Sequence, residues 1–135
     1  MSKYDFEFDL DSRNSLSIIN NMIKNNSKVL ELGCAYGRLT KYLREAKNCD
    51  ITVVEFDRVS GKVAARYAEN SFIGASEGNI EKYIWAKKIS EKFDYIIFAD
   101  VLEHLYNPKK VLEKCKEFLK ETGSILVSIP NIANN

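Results

Sequence analysis

The fold this sequence predicts is an open, doubly wound α/β sheet, mostly parallel and arranged in three layers, α/β/α. Two observations predict it. The hydrophobic period switches back and forth between strand-like and helical along the chain. The strand-like segments are also near-continuously apolar, as in residues 51–56 (ITVVEF), which suits parallel strands covered on both faces. Such alternation is what crossover helices between parallel strands produce. With 135 residues the chain is expected to be a single domain over 1–135, large enough for a real core and too short for two ordinary ones.

The elements follow in order. Leu16, Ile19, Met22 and Ile23 fall at helical spacing behind a cap at Asp11 or Ser12, and Asn25-Asn26-Ser27 ends that helix. Lys28–Leu32 is the first strand, and a second helix after Gly37 carries Leu39, Tyr42 and Leu43 on one side. The second strand is 51–56, followed by a third helix over about 59–68 with Val63, Ala64, Tyr67 and Ala68. SFIGASEGNI (71–80) holds a short third strand, and a helix or loop over 81–90 leads to the fourth, Phe93–Ala99. Asn107-Pro108 starts a helix, since proline suits a first turn. Its apolar stripe is Val111, Leu112, Cys115, Phe118 and Leu119, and Gly123 is expected to stop it before a fifth strand over 124–129 (SILVSI).

Composition excludes several function classes. Twenty basic residues against nineteen acidic ones leave a net charge of +1, so there is no basic field for nucleic-acid phosphates and no polybasic membrane anchor. Cys34, Cys49 and Cys115 form no C-x-x-C pair, which argues against a disulfide framework and a structural zinc site. MSKYDFEFDLDSRN lacks the apolar segment of a secretory signal, and no stretch approaches the roughly 18 apolar residues of a membrane span. The expectation is a soluble, cytoplasmic, reduced protein.

The segment VLELGCAYG (29–37) interrupts an apolar strand with Glu31 and ends it in Gly33 and Gly37. Those glycines let the backbone turn sharply and approach a ligand without Cβ obstruction, and the following helix offers unpaired N–H groups at its start. The second strand ends in Glu55, twenty-two residues after Gly33, where a carboxylate can accept both hydroxyls of a ribose. A G-x-G-x-x-G dinucleotide fingerprint fails at Ala35 and Arg38, and no Gly-Lys-Ser/Thr follows to make a P-loop. Glu31, two residues before the first glycine, suits an ammonium group better than a pyrophosphate.

VLELGCAYGRLT resembles motif I of the class I S-adenosylmethionine-dependent methyltransferases, with Ala35 in place of the middle glycine and Tyr36 where a small residue is usual. VVEFD is similar to the family's second motif, GNIEKY to its adenine-contacting segment, FDYIIFADVLEHLYNPKKVL to its fourth strand and following helix, and GSILVSIPN to its fifth strand. The resemblance implies a Rossmann-like sheet and S-adenosyl-L-methionine as cofactor, leaving as S-adenosyl-L-homocysteine. The cofactor site it implies is Glu31, Gly33, Cys34, Ala35, Tyr36, Gly37, Glu55, Phe56, Asn79, Ile80, Asp100 and Val101. Glu55 would hold the ribose, Asn79 would meet the adenine amino group, Ile80 would pack on the ring, and Tyr36 would cap the site. The family's sheet adds two more strands after the fifth, whereas this sequence ends at SIPNIANN. A chain lacking the last two of seven strands is therefore expected, either a C-terminally truncated part of a longer methyltransferase or one whose strand-five edge (124–130) pairs with a second chain in a dimer.

Methyl transfer needs alignment, and a base if the acceptor must lose a proton. ADVLEHL follows the fourth strand and supplies Asp100, Glu103 and His104, the last being the only histidine and the candidate base, with Asp100 beside it. The same segment resembles the E-x-x-E-H stretch that holds a divalent metal in small-RNA 2′-O-methyltransferases and ubiquinone-pathway O-methyltransferases. This chain has no second, distant histidine to complete such a set, so no metal is expected. The leading expectation is transfer to a small-molecule acceptor, such as a sugar or metabolite hydroxyl. A non-catalytic cofactor-binding or interaction module is the alternative, and an NAD-type dehydrogenase is disfavoured by the missing glycines.

Overall fold

The computed structural model describes residues 15–129, leaving the expected caps Asp11 and Ser12 outside the described residues. Its elements are α1 (Ser15–Met22), β1 (Lys28–Leu32), α2 (Arg38–Lys47), β2 (Asp50–Glu55), α3 (Arg58–Ala64), β3 (Asn70–Ile73), α4 (Ile84–Lys88), β4 (Phe93–Ala99), α5 (Pro108–Cys115) and β5 (Leu119–Ser128). The five strands form one all-parallel sheet in the order β3-β2-β1-β4-β5. The chain thus winds outward from β1 to β3 and returns to place β4 on the other side of β1, putting a topological switch point between β1 and β4.

Strand alternation sorts the core into two layers. Val29, Ile51, Val53 and Ile97 point to the face covered by Ile19 of α1, Leu39 and Leu43 of α2, and Ala64 of α3. Leu30, Leu32, Val54, Ile96 and Phe98 point to the opposite face, under Trp85 of α4 and Val111 and Cys115 of α5. The near-continuous apolar runs are explained by this double covering: every residue of β1 from Val29 to Leu32 is buried, Glu31 included.

Helix ends follow local chemistry. Asp57 caps α3 by accepting hydrogen bonds from Ser60 N (2.9 Å) and Ser60 Oγ (2.7 Å), and those bonds hold its carboxyl below the usual range. Asn107 Oδ1 accepts from Lys110 N (3.1 Å) at the start of α5, with Pro108 in its first turn. Asn48, left-handed at φ +53°, closes α2.

Two boundaries depart from the expectation. The third helix ends at Ala64 and tightens into a 3-10 turn over Ala65–Tyr67. More substantially, Gly123 does not stop the fifth helix. That helix ends at Cys115, a 3-10 turn covers Lys116–Phe118, and β5 begins at Leu119. Phe93 pairs with Leu119 and Tyr95 with Ser124, so two steps along β4 oppose five along β5. Gly123 sits in this bulge, where a Cβ would lie 2.8 Å from Phe93 O, and only glycine permits that approach. β5 is a sheet edge, with Val127 and Ile129 exposed. Among the described residues no helix is long and apolar enough to cross a membrane.

Candidate functional site

A cavity of about 870 Å³ opens at the carboxyl ends of β1, β2 and β4, at the switch point. Of the residues expected to hold a cofactor, Glu31, Gly33, Cys34, Ala35, Tyr36, Glu55, Phe56, Asn79, Ile80, Asp100 and Val101 border it, and so does His104. Gly37 does not. It adopts φ +83° at the start of α2, where a Cβ would meet Ala64 Cα at 2.6 Å, so its place is the close approach of α2 to α3.

The bend after β1 is fixed from within. Gly33 N donates to Val54 O (2.7 Å) and Gly37 N to Cys34 O (2.9 Å). Ala35, left-handed at φ +51°, donates its N–H to Glu55 Oε1 at 2.7 Å. Glu55 Oε2 accepts from Asp57 N (2.9 Å), so this one carboxylate ties the bend after β1 to the bend after β2. Each of its oxygens keeps acceptor capacity for a further donor. Gly33 itself has φ +81°, and a Cβ there would stand 2.4 Å from Val101 Cγ2, so the loop after β4 closes directly onto the glycine bend.

Glu31 lies deep in the same wall. The residue is 3% exposed, and its carboxylate accepts from Thr40 Oγ1 on α2 at 2.6 Å. Burial pushes its pKa up to about 7 against the opposing effect of the Thr40 bond, and the Glu55 charge adds to the rise. Cys34 is buried beside both acids and its thiol is pushed far up, first by burial and then by those two charges. It is held as an inert thiol and not as a nucleophile.

On the far wall, Asn79 Oδ1 accepts from Glu81 N (2.9 Å), capping the 3-10 turn Ile80–Lys82. Ile80 presents an apolar wall, 8% exposed, and its carbonyl accepts from the indole N–H of buried Trp85 (2.9 Å). Phe56 and Tyr36 stand at the rim, both substantially exposed. Asp100 is left-handed at φ +57°, and its N–H donates to Ser128 O (3.0 Å) and Ser128 Oγ (3.1 Å) at the end of β5. His104 is 77% exposed, with Nε2 3.9 Å from Glu103 Oε2. Among the described residues no group of three or more His, Cys, Asp and Glu side chains is placed to hold a metal ion.

Sequence reasoning gives no role to Gly78 or Glu81, which also border the cavity. A Cβ on Gly78 would meet Glu55 O at 2.0 Å, so the loop after β3 lies flat on the end of β2. The only signal for it is a glycine beside Asn79. Among the described residues, four carboxylates, from Glu31, Glu55, Glu81 and Asp100, border the cavity with two basic side chains, Arg38 and His104, a balance that favours a cationic ligand.

Known proteins share this architecture. The methyltransferase domain family matches residues 8–134. A ubiquinone biosynthesis O-methyltransferase of Glaesserella parasuis serovar 5 (strain SH0165) is 31% identical over 108 residues, covering 77% of this chain and 45% of that protein. An (S)-coclaurine N-methyltransferase of Thalictrum flavum subsp. glaucum is 31% identical over 109 residues, covering 78% of this chain and 29% of that protein. This chain therefore spans less than half the length of these curated relatives. The crystal structure of a methyltransferase from Pyrococcus furiosus superposes with a TM-score of 0.66 at 19% identity, covering 87% of this chain and 62% of that one. A coclaurine N-methyltransferase bound to N-methylheliamine and SAH gives 0.65 at 23% identity, covering 82% of this chain and 34% of that one. On the extent of the family match, this chain belongs to the methyltransferase domain family.

Proposed function

We propose that this chain binds S-adenosylmethionine at the carboxyl ends of β1 and β2 and serves transfer of its methyl group to a small-molecule acceptor, such as a sugar or metabolite hydroxyl. The observation that carries the reading is Glu55, whose carboxylate is fixed by the Ala35 and Asp57 amides at the cavity wall with acceptor capacity left for two ribose hydroxyls. The donor chemistry agrees. The amides of Gly33, Ala35 and Gly37 all donate inside the protein, so these three N–H groups are not offered to a pyrophosphate. The acids suit a ligand that carries a sulfonium and an ammonium and no phosphate.

When bound, that cofactor supplies an electrophilic methyl carbon whose bond to sulfur breaks as the acceptor's bond to carbon forms. The chain supplies alignment. Glu55 grips the sugar, Glu31 faces the ammonium, and Ile80 and Phe56 flank the base. Asp100 and Val101, at the end of β4, border the reacting centre, and His104 takes the proton that an acceptor hydroxyl loses. A cofactor-binding module without turnover is the second reading, favoured by the wide exposure of His104, since a base in open solvent gains little from its surroundings. The open edge of β5 is the surface through which two chains would pair, a point that sedimentation at several concentrations decides.

Calorimetry with S-adenosylmethionine and with NAD, followed by product analysis across hydroxyl, amine and carbon acceptors, tests the reading. Binding of the first ligand alone, with a methylated hydroxyl compound, is expected. Binding of NAD alone would overturn the assignment, and cofactor binding with no product from any acceptor would favour the module.

A further inference from the structure

Glu81 borders the cavity, yet its carboxylate is occupied by the opposite wall. Oε1 accepts from Tyr106 N (2.9 Å) and Oε2 from Asn107 N (2.8 Å), two consecutive backbone amides 25 and 26 residues further along the chain. Those amides lie between the turn Leu102–His104 and the start of α5, in the segment that carries His104, Leu105 and Tyr106 to the cavity mouth. Glu81 is itself fixed, since its own N–H donates to Asn79 Oδ1 (2.9 Å) and it follows Ile80, whose carbonyl holds Trp85. Leu102 and Leu105 pack against the core, but Tyr106 has a fully exposed side chain, so at this end of the segment the backbone grip of Glu81 takes the place of ring packing.

We propose that Glu81 is a positioning residue that latches the wall bearing His104 and Tyr106 to the wall bearing Asn79 and Ile80, so that ligand bound against one wall orders the other. A carboxylate suits the task because both its oxygens accept and neither donates, which matches two adjacent N–H groups. The two bonds are charge-assisted and close a loop of about 25 residues between elements that share no strand pairing. The proposal rests on the cofactor reading above for the identity of the ligand, but the latch itself does not.

Amide hydrogen exchange on the full chain tests it, read residue by residue with and without S-adenosylmethionine, on the wild type, Glu81→Ala and Glu81→Gln. In Glu81→Ala the Tyr106 and Asn107 amides are expected to exchange at least about tenfold faster, while amides of β1 and β4 are unchanged. Glu81→Gln, with one accepting oxygen, is expected to release mainly one of the two. Cofactor should slow exchange at both amides in the wild type and fail to do so in Glu81→Ala, an effect that simple loss of stability does not produce. Unchanged exchange at Tyr106 and Asn107 in Glu81→Ala would overturn the latch, as would acceleration spread equally over β1 and β4. If the wild type does not bind S-adenosylmethionine, the cofactor reading fails, and the ligand-free comparison still decides the latch.

Discussion

Thr40 Oγ1 donates a 2.6 Å hydrogen bond to Glu31 Oε1, joining α2 to the carboxyl end of the central strand β1 at the cavity wall. Val53 and Ile97, the neighbours of Glu31 across β2 and β4, are both fully buried, so the carboxylate has little but Thr40 and the cavity to satisfy it. Its pKa is pushed up to about 7 by that burial.

A pH dependence follows, with a definite sign. The unfolded chain releases the Glu31 proton near 4.5, whereas the folded chain keeps it until about 7. Between those values the folded state binds more protons at Glu31, so this group's own contribution is most favourable at low pH and falls as pH rises, levelling above 7, a change of up to about 3 kcal/mol. Asp57 and Asp94, whose carboxyls are held below the usual range, act in the opposite direction at lower pH. Urea unfolding of the wild type and Glu31→Gln at pH 5 and pH 7.5 checks this, and the variant should lose much of the slope. A cationic ligand prefers the ionised acid, so cofactor affinity should move the opposite way and rise toward pH 7.5. The Cys34 thiol beside it is pushed far up by burial and by the two acids, so it stays protonated throughout this window.

Alanine at Gly33 and at Gly37 should cost unequally. Both positions have φ above +80°, which alone costs an L-residue about 1–2 kcal/mol. At Gly33 the obstacle is Val101 Cγ2, a side-chain methyl that can turn aside; at Gly37 it is Ala64 Cα and Cβ, which cannot. Denaturation midpoints should rank Gly37→Ala as the less stable. Cofactor affinity, measured on protein that remains folded, should suffer more in Gly33→Ala, because Val101 must then shift at the cavity wall.

Trp85→Phe should be felt at the cavity although Trp85 is fully buried beneath it. The change leaves Ile80 O without its indole partner, a loss of about 1–3 kcal/mol before any void is counted. Calorimetry is expected to show weaker cofactor binding through a loosened Ile80 wall, and unfolding measurements a matching drop in stability.

His104→Ala separates the two functional readings. A general base contributes about 10²–10⁴-fold to rate. If His104 accepts the acceptor's proton, initial rates fall by that order while cofactor affinity is unchanged, His104 being largely exposed at the rim. A full rate in the variant would remove His104 from the chemistry.

Much of this was legible in the sequence because burial leaves a mark there. β1, β2 and β4 are central and covered on both faces, so their residues read as unbroken apolar runs. Glu31 and Glu55 stood out as acids at the ends of those runs. The boundary between α5 and β5 was not legible, because Phe118 and Leu119 continue the helical stripe of Val111 and Cys115 while the backbone has already turned. Gly123 looks like a helix stop and serves a bulge, a distinction that depends on the Phe93 carbonyl opposite it. Glu81 left no signal, since its partners are backbone amides far along the chain and any residue type supplies those.

The most direct test is a titration of the wild type and Glu55→Ala with S-adenosylmethionine. Removing a carboxylate that holds two ribose hydroxyls leaves polar groups unpaired at about 1–3 kcal/mol, so affinity is expected to fall about 5- to 150-fold. Equal affinity in the two proteins would contradict the placement of the ribose on Glu55, and with it the site.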